Sequence, residues 1–268
     1  MRCYIKHTKV WGFSMGKNKK AREWPKVWIQ VQTIEGLISE IEGKRLYQLA
    51  KNCGGTIVEV GSWKGKSTVC LALGSKAGKG GRVFAIDPHK GLQDECAEVH
   101  QPGGTELIFR ENIKRAKVDD IVVPLVMKSE EAADGWTEPL SLLFIDGAHD
   151  YENVMLDFNL WEPSLTEGSI IAFHDALYSL GHNYPGIRNI VTSNILTSPR
   201  FSNVQFCGSI VYATKSRASV KGHFLKLQKL LLYYTLPMVY LALTPVYRIL
   251  ARTRLFALVK RIRNKLQL

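Results

Sequence analysis

The last 93 residues of this 268-residue chain contain no acidic side chain, and the final one is Asp175. Residues 176–268 nevertheless hold 14 of the 36 lysines and arginines, whereas residues 1–175 combine the other 22 with all 24 acids. The net charge of +12 therefore comes from the C-terminal third. This separation predicts a nearly neutral folded body followed by a segment that seeks an anionic surface.

Cysteine pairs are also lacking. The chain has five scattered cysteines, an odd number, and none of them forms a CxxC motif. This pattern argues against a disulfide framework or a zinc site and favours a reducing compartment. Residues 1–29 contain no apolar stretch of signal-peptide length and are interpreted as a basic lead-in. We therefore expect a cytoplasmic protein.

Apolar runs alternate with helical patterns along the middle of the chain. Short runs at 56–61, 82–87, 121–127, 140–146 and 169–175 predict buried strands, with one or two more within 204–214. Helices are predicted at 34–52, 67–77, 93–100, 106–116, 150–161 and 186–196, with Asp150 as the N-cap of the helix at 150–161. This alternation predicts a doubly wound, mostly parallel α/β sheet over residues 30–215.

Polar side chains stand at the ends of the apolar runs. In a parallel sheet the ligand binds beyond the carboxyl ends of the strands, so residues there meet at one edge. The residues in these positions are Glu59, Asp87, Asp146, His174 and Asp175. We expect them to form a binding site, although helix capping alone would also place acids at strand ends.

The first strand leads into the loop Gly61-Ser62-Trp63-Lys64-Gly65-Lys66-Ser67. A phosphate-binding P-loop needs four residues between its first glycine and the Gly-Lys-Ser, and this loop has three, so triphosphate binding is disfavoured. The glycines allow a ligand close to the backbone, and Asp87 could accept ribose hydroxyls. The loop alone suits S-adenosylmethionine and NAD equally.

Two later segments are more specific. They read Phe-Ile-Asp-Gly-Ala-His-Asp-Tyr-Glu at 144–152 and Gly-Ser-Ile-Ile-Ala-Phe-His-Asp at 168–175. This pair resembles the class I S-adenosylmethionine-dependent methyltransferases of family 24, which include small-molecule O-methyltransferases, and the similarity runs from about 36 to 214. The resemblance implies a Rossmann-like fold and methyl transfer to a hydroxyl of a small molecule or glycan.

The resemblance also implies roles for individual residues. The implied cofactor-binding residues are Glu59, Gly61, Ser62, Gly65, Ser67, Asp87 and Ser129. Asp146, His174 and Asp175 match a divalent metal site, for which Mg²⁺ is expected. Some relatives carry an acid at the position of Ala148 that has been considered as a base, and its loss leaves His149 as the candidate base. The alternative is that these carboxylates only cap helices and His149 only holds a loop.

Residues 216–268 predict a basic, apolar helical extension. The 18 residues 230–247 are uncharged, but their two prolines and the basic residues on both sides argue against a membrane span. Beyond them, Leu255, Leu258, Val259, Ile262 and Leu266 fall on one helical face among basic residues. This pattern predicts that residues 223–268 attach to the anionic inner face of a membrane.

Alternatives for the extension and the activity remain open. The extension could be a cap packed on the domain, an arm of a homo-oligomer or, less in keeping with its long aliphatic run, a nucleic-acid arm. A lipid-linked acceptor would account for membrane attachment. An RNA methyltransferase and a non-catalytic scaffold are the competing functions. We expect a chain that ends near Ser219 to fold by itself.

Overall fold

The computed structural model describes residues 23–90, 104–177, 184–217, 222, 225–233 and 235. Three predictions lie outside these residues: the helix at 93–100, most of the basic lead-in, and the apolar and basic extension beyond residue 235. Within the described residues, no helix has the length and apolar character needed to cross a membrane.

Seven strands form one mixed sheet. They are β1 (Thr56–Val60), β2 (Val83–Ile86), β3 (Val122–Leu125), β4 (Leu140–Ile145), β5 (Leu165–Phe173), β6 (Phe201–Cys207) and β7 (Ile210–Lys215). Their order is β3-β2-β1-β4-β5-β7-β6. The first five strands are parallel, and β7 runs antiparallel to both β5 and β6. The predicted α/β sheet is therefore confirmed, with one antiparallel strand.

The α-helices are α1 (Glu23–Val31), α2 (Glu40–Asn52), α3 (Lys66–Ala77), α4 (Glu106–Arg115), α5 (Ser129–Ala133), α6 (Tyr151–Trp161) and α7 (Pro185–Ile190). A 3₁₀ turn at Glu162–Ser164 and a π-helix at Val191–Leu196 follow α6 and α7. Residues 225–233 are also helical. As predicted, Asp150 caps α6, because its carboxylate accepts the Asn153 amide at 3.0 Å.

The core lies on both faces of the sheet. Side chains alternate along β1, so Val58 and Val60 join one cluster with α6 and α7, whereas Ile57 joins the other with α2, α3 and α4. Successive strand residues point to opposite faces, and both faces are covered by helices. This burial explains why the strands are nearly continuous apolar runs rather than alternating patterns.

Packed structure extends beyond the expected 30–215 unit. Trp24 and Val31 of α1 are buried in one core cluster, and Tyr233 of the C-terminal helix is buried in the other. At the second helix the prediction began too early. Residues 34–39 precede α2, which starts where the Glu42 carboxylate accepts the Ser39 amide at 2.8 Å.

Candidate active site

A cavity of about 610 Å³ lies at the carboxyl ends of β1, β2, β4 and β5. Nine of the eleven predicted site residues line it: Gly61, Ser62, Ser67, Asp87, Ser129, Asp146, His149, His174 and Asp175. Glu59 and Gly65 do not. The sheet topology thus brings together residues that are far apart in the sequence, as expected for a parallel α/β sheet.

Gly61 permits the close crossing of the loops after β1 and β4. Its φ angle is 86°, and a Cβ atom there would lie 2.3 Å from the carbonyl oxygen of Asp146. Both the backbone conformation and the lack of space require glycine. Gly65 also has a φ of 86°, and it caps the start of α3 beside the Phe109 ring. Its role in the structure is therefore to begin the helix.

Asp87 organises the glycine loop from the neighbouring strand. Its carboxylate accepts the backbone amides of Ser62 at 3.0 Å, Trp63 at 2.7 Å and His89 at 2.7 Å. A carboxylate has about four acceptor sites. Asp87 therefore keeps acceptor capacity for a ligand hydroxyl while it holds the loop in place.

Glu59 lies beneath the loop and is fully buried. The Thr68 hydroxyl donates a hydrogen bond to its Oε2, while its Oε1 has no hydrogen-bond partner. Burial raises the pKa of Glu59 to about 8, and hydrogen bonds from Ser67 and Thr68 oppose this only in part. Burial therefore favours the neutral, protonated form of this carboxyl.

Three possible metal ligands meet where β4 and β5 end. One donor atom from each of Asp146, His149 and Asp175 lies within 4.8 Å of the others. His149 Nε2 is 3.5 Å from Asp175 Oδ2. Asp175 has a φ of 50°, in the left-handed region, which Asp adopts more readily than most other non-glycine residues. Two carboxylates and an imidazole fit a divalent cation such as Mg²⁺ or Mn²⁺.

His174 was predicted as a metal ligand, but it lies behind this cluster. Its Nδ1 is 3.0 Å from Asp146 Oδ1 and 3.3 Å from Asp175 Oδ2, and its Nε2 is 3.8 Å from Glu42 Oε1. Burial lowers the pKa of His174, but these three carboxylates outweigh it and raise the pKa well above its usual range. The three donor atoms that lie within 4.8 Å of one another are therefore those of Asp146, His149 and Asp175, and His174 contacts the two carboxylates from behind.

The sequence did not reveal Glu42 as part of this arrangement. Its Oε1 accepts the backbone amide of Ser209 at 2.6 Å and the Ser209 hydroxyl at 2.8 Å. Burial raises the pKa of Glu42, but His174, Ser39 and Ser209 lower it to about 2. The Ser39-x-x-Glu42 spacing indicates the start of a helix. It gives no sign that the same carboxylate reaches β5.

The rest of the wall is partly acidic and partly apolar. Asp157, also missed, lines the cavity from α6, and burial raises its pKa to about 6 in spite of a hydrogen bond with Ser129. The lining also includes Trp63, Leu37 and Leu156, and the Leu37 side chain is 73% exposed. A bound molecule therefore meets apolar groups on this part of the wall.

Comparison with protein families identifies a methyltransferase domain. Residues 58–176 match the family 24 profile, described as "Methyltransferase domain". A curated relative, the uncharacterized protein R132 of Acanthamoeba polyphaga mimivirus, is 29% identical over 126 residues, which cover 45% of this chain and 51% of the relative. The chain thus spans about half the length of that relative.

Solved structures share the fold. Cofactor-bound Rv0187 from MTB has a TM-score of 0.53 at 20% identity, covering 75% of this chain and 92% of its own. The O-methyltransferase TomG from Streptomyces achromogenes, in complex with SAM and involved in tomaymycin synthesis, has a TM-score of 0.50 at 15% identity, with 72% and 89% covered. At these identities the likeness establishes the Rossmann-like fold.

Proposed function

Because residues 58–176 form a class I S-adenosylmethionine-dependent methyltransferase domain of family 24, we propose that the chain transfers a methyl group from S-adenosylmethionine to a hydroxyl of a small molecule or glycan. The observation that carries the proposal is the single cavity lined by the glycine loop, Asp87 and the cluster of Asp146, His149 and Asp175. This cavity is lined both by a glycine loop of the kind that binds a cofactor and by oxygen and nitrogen atoms that can bind a metal ion.

The glycine loop and the second strand hold the cofactor in this proposal. S-adenosylmethionine supplies a methyl group on a sulfonium, which a nucleophilic oxygen must approach in line. The Gly61 backbone allows close approach, the Ser62 and Ser67 side chains line the same wall, and Asp87 offers its remaining acceptor site. Ser129, at the start of α5, also lines the cavity, and the family resemblance gives it a position near the adenine of the cofactor.

Asp146, His149 and Asp175 hold a divalent cation in this proposal. A bound cation lowers the pKa of an acceptor hydroxyl. His174 keeps the carboxylates of Asp146 and Asp175 side by side, since its Nδ1 lies within 3.3 Å of both. His149 then acts as a ligand. Its predicted role as the base that removes the acceptor proton is the alternative for an activity that needs no metal.

The acceptor is proposed to reach the cavity past Leu37, Trp63 and Leu156, which suits a molecule with an apolar part beside its hydroxyl. We further propose that residues 223–268 bring the protein to the inner face of an anionic membrane, as the basic charge without any acid favours. A lipid-linked acceptor fits both features.

Calorimetry with S-adenosylmethionine and its demethylated product tests the cofactor site. We expect binding to the full chain, weakened at least about tenfold by Asp87→Ala, because the substitution removes both a ligand acceptor and the anchor of the loop. Glu167→Gln, an exposed substitution at the opposite end of the sheet, is the matched control. Binding of NAD or ATP without a response to either sulfur ligand would refute the proposal.

A labelled methyl group tests the reaction and the metal. We expect transfer from S-adenosylmethionine to material in cell extracts, its loss in chelator and its recovery with Mg²⁺ or Mn²⁺. His149→Ala separates the two roles of that residue. If His149 is a metal ligand, the substitution weakens cation binding in calorimetry; if it is the base, cation binding stays intact while methyl transfer is lost. Full transfer in excess EDTA would remove the metal from the proposal.

A further inference from the structure

The C-terminal helix at 225–233 is fixed to the domain by one of its faces. Lys226 donates to the carbonyl oxygens of Ser198 and of Phe201, the latter at 2.9 Å, and Lys229 donates to the carbonyl oxygen of Val204. Lys226 is only 3% exposed. The two cations of this helix are therefore directed toward the carbonyls of β6 and its lead-in.

The other face of the same helix is apolar. Four leucines are exposed there, with exposed fractions of 47% for Leu225, 61% for Leu227, 68% for Leu231 and 46% for Leu232, and the exposed Gln228 lies among them. We call these four residues the leucine face. Exposing these four side chains to water is unfavourable, because the free energy falls when a leucine side chain leaves water. Contiguous exposed leucines on one element typically mark an interaction surface.

The helix leads toward the cavity. It meets β6 first near Phe201 and then near Val204, and Tyr233 packs against Phe206. The Tyr233 hydroxyl donates to the carbonyl oxygen of Ala176, the residue after Asp175. The leucine face therefore ends beside the edge of the sheet where the cavity lies. From this point the sequence continues without charge to residue 247.

We propose that the leucine face docks on an anionic lipid surface and holds the cavity edge of the sheet close to the bilayer. The charge of the surrounding sequence favours this partner, because residues 216–268 contain nine lysines and arginines besides Lys226 and Lys229, and no acid. Nucleic acid fits less well, since Lys226 and Lys229 are turned inward and the outward surface is mostly leucine. Resting on the proposed methyltransferase function, the inference makes the acceptor a molecule that is presented from the membrane.

Flotation of the full chain with vesicles tests the docking. We expect binding to vesicles of phosphatidylcholine with phosphatidylserine, and weaker binding to phosphatidylcholine alone. The double substitution Leu227→Gln/Leu231→Gln should reduce binding to the mixed vesicles at least about tenfold, since two large apolar side chains no longer enter the lipid. Leu107→Gln, at a leucine on α4 that is 62% exposed, is the matched control and should bind as the unchanged chain does.

Size-exclusion chromatography and circular dichroism of the same samples complete the test. A second double substitution, Leu225→Gln/Leu232→Gln, provides an independent variant if the first does not fold. Equal flotation of the Leu227/Leu231 variant and the control would overturn the proposal. A full chain that does not bind vesicles would also overturn the proposal. In that case chromatography would show either a dimer that the substitutions dissociate or a monomer whose own C-terminal residues cover the leucines.

Hydrogen exchange of the cofactor-free protein on vesicles tests the orientation. We expect protection at 225–233 and also at 36–38, since residues 36–38 line the cavity. We expect no protection at 166–168, which lie at the opposite end of the sheet. Protection at 225–233 together with 166–168 would overturn it. Calorimetry with S-adenosylmethionine on the same variants keeps the two proposals apart: lost vesicle binding with intact cofactor binding refutes only the docking, and the reverse refutes only the methyltransferase site.

Discussion

Glu59 is expected to make the stability of the protein depend on pH in an unusual direction. Burial raises the pKa of this carboxyl from 4.5 to about 8. Between these two values the folded protein keeps a proton on Glu59 that the unfolded chain has lost. The unfolded state binds fewer protons, so the free energy of unfolding falls as pH rises from 4.5 to 8.

The size of the effect follows from the shift. One pKa unit corresponds to about 1.4 kcal/mol, so the shift of Glu59 from 4.5 to about 8 amounts to at most about 5 kcal/mol over this range. Glu59→Gln is neutral at every pH, and its amide oxygen can still accept the hydrogen bond from Thr68. We therefore expect this variant to gain stability relative to the unchanged chain as pH rises, by several kcal/mol between pH 5 and pH 9.

Urea denaturation at pH 5, 6, 7, 8 and 9, followed by circular dichroism, measures this difference. Other groups contribute to the pH dependence of both proteins, so the quantity of interest is the difference between the two curves. Glu167→Gln, which removes an exposed carboxyl, should give a curve parallel to that of the unchanged chain. Parallel curves for Glu59→Gln as well would refute the reasoning and mean that the carboxyl is ionised in the folded state.

Three further results are expected. Gly61→Ala should destabilise the protein by several kcal/mol more than Gly80→Ala in urea, because both positions have positive φ but only Gly61 has no room for a Cβ atom. A chain that ends at Ser219 should unfold at lower urea than one that ends at Thr235, since only the longer chain keeps the buried tyrosine of the C-terminal helix, and equal midpoints would contradict this. Asp175→Asn should weaken Mn²⁺ binding at least about tenfold in calorimetry, and an unchanged affinity would remove this carboxylate from the ligand set.

The sequence alone was enough for the sheet and for the edge at which the site lies. Buried parallel strands produce apolar runs of a few residues, and the polar residue that ends each run is next to its strand in the chain. Asp87, Asp146 and Asp175 were therefore found by local position, as was the capping role of Asp150. The pair of segments at 144–152 and 168–175 then pointed to the family. Both segments could be found in the sequence because each contains the end of a strand and the site residues that follow it.

Only the tertiary structure decided what surrounds these residues. Phe173 packs on one face of the sheet, so His174 turns to the other face, toward Glu42 on a helix 132 positions earlier in the sequence. Asp175 then enters a left-handed turn that brings it to His149 instead. Likewise, Tyr233 is part of the core because it meets Ala176 across 57 positions. Periodicity encodes the neighbours of a residue within one element, whereas partners on other elements depend on how those elements pack.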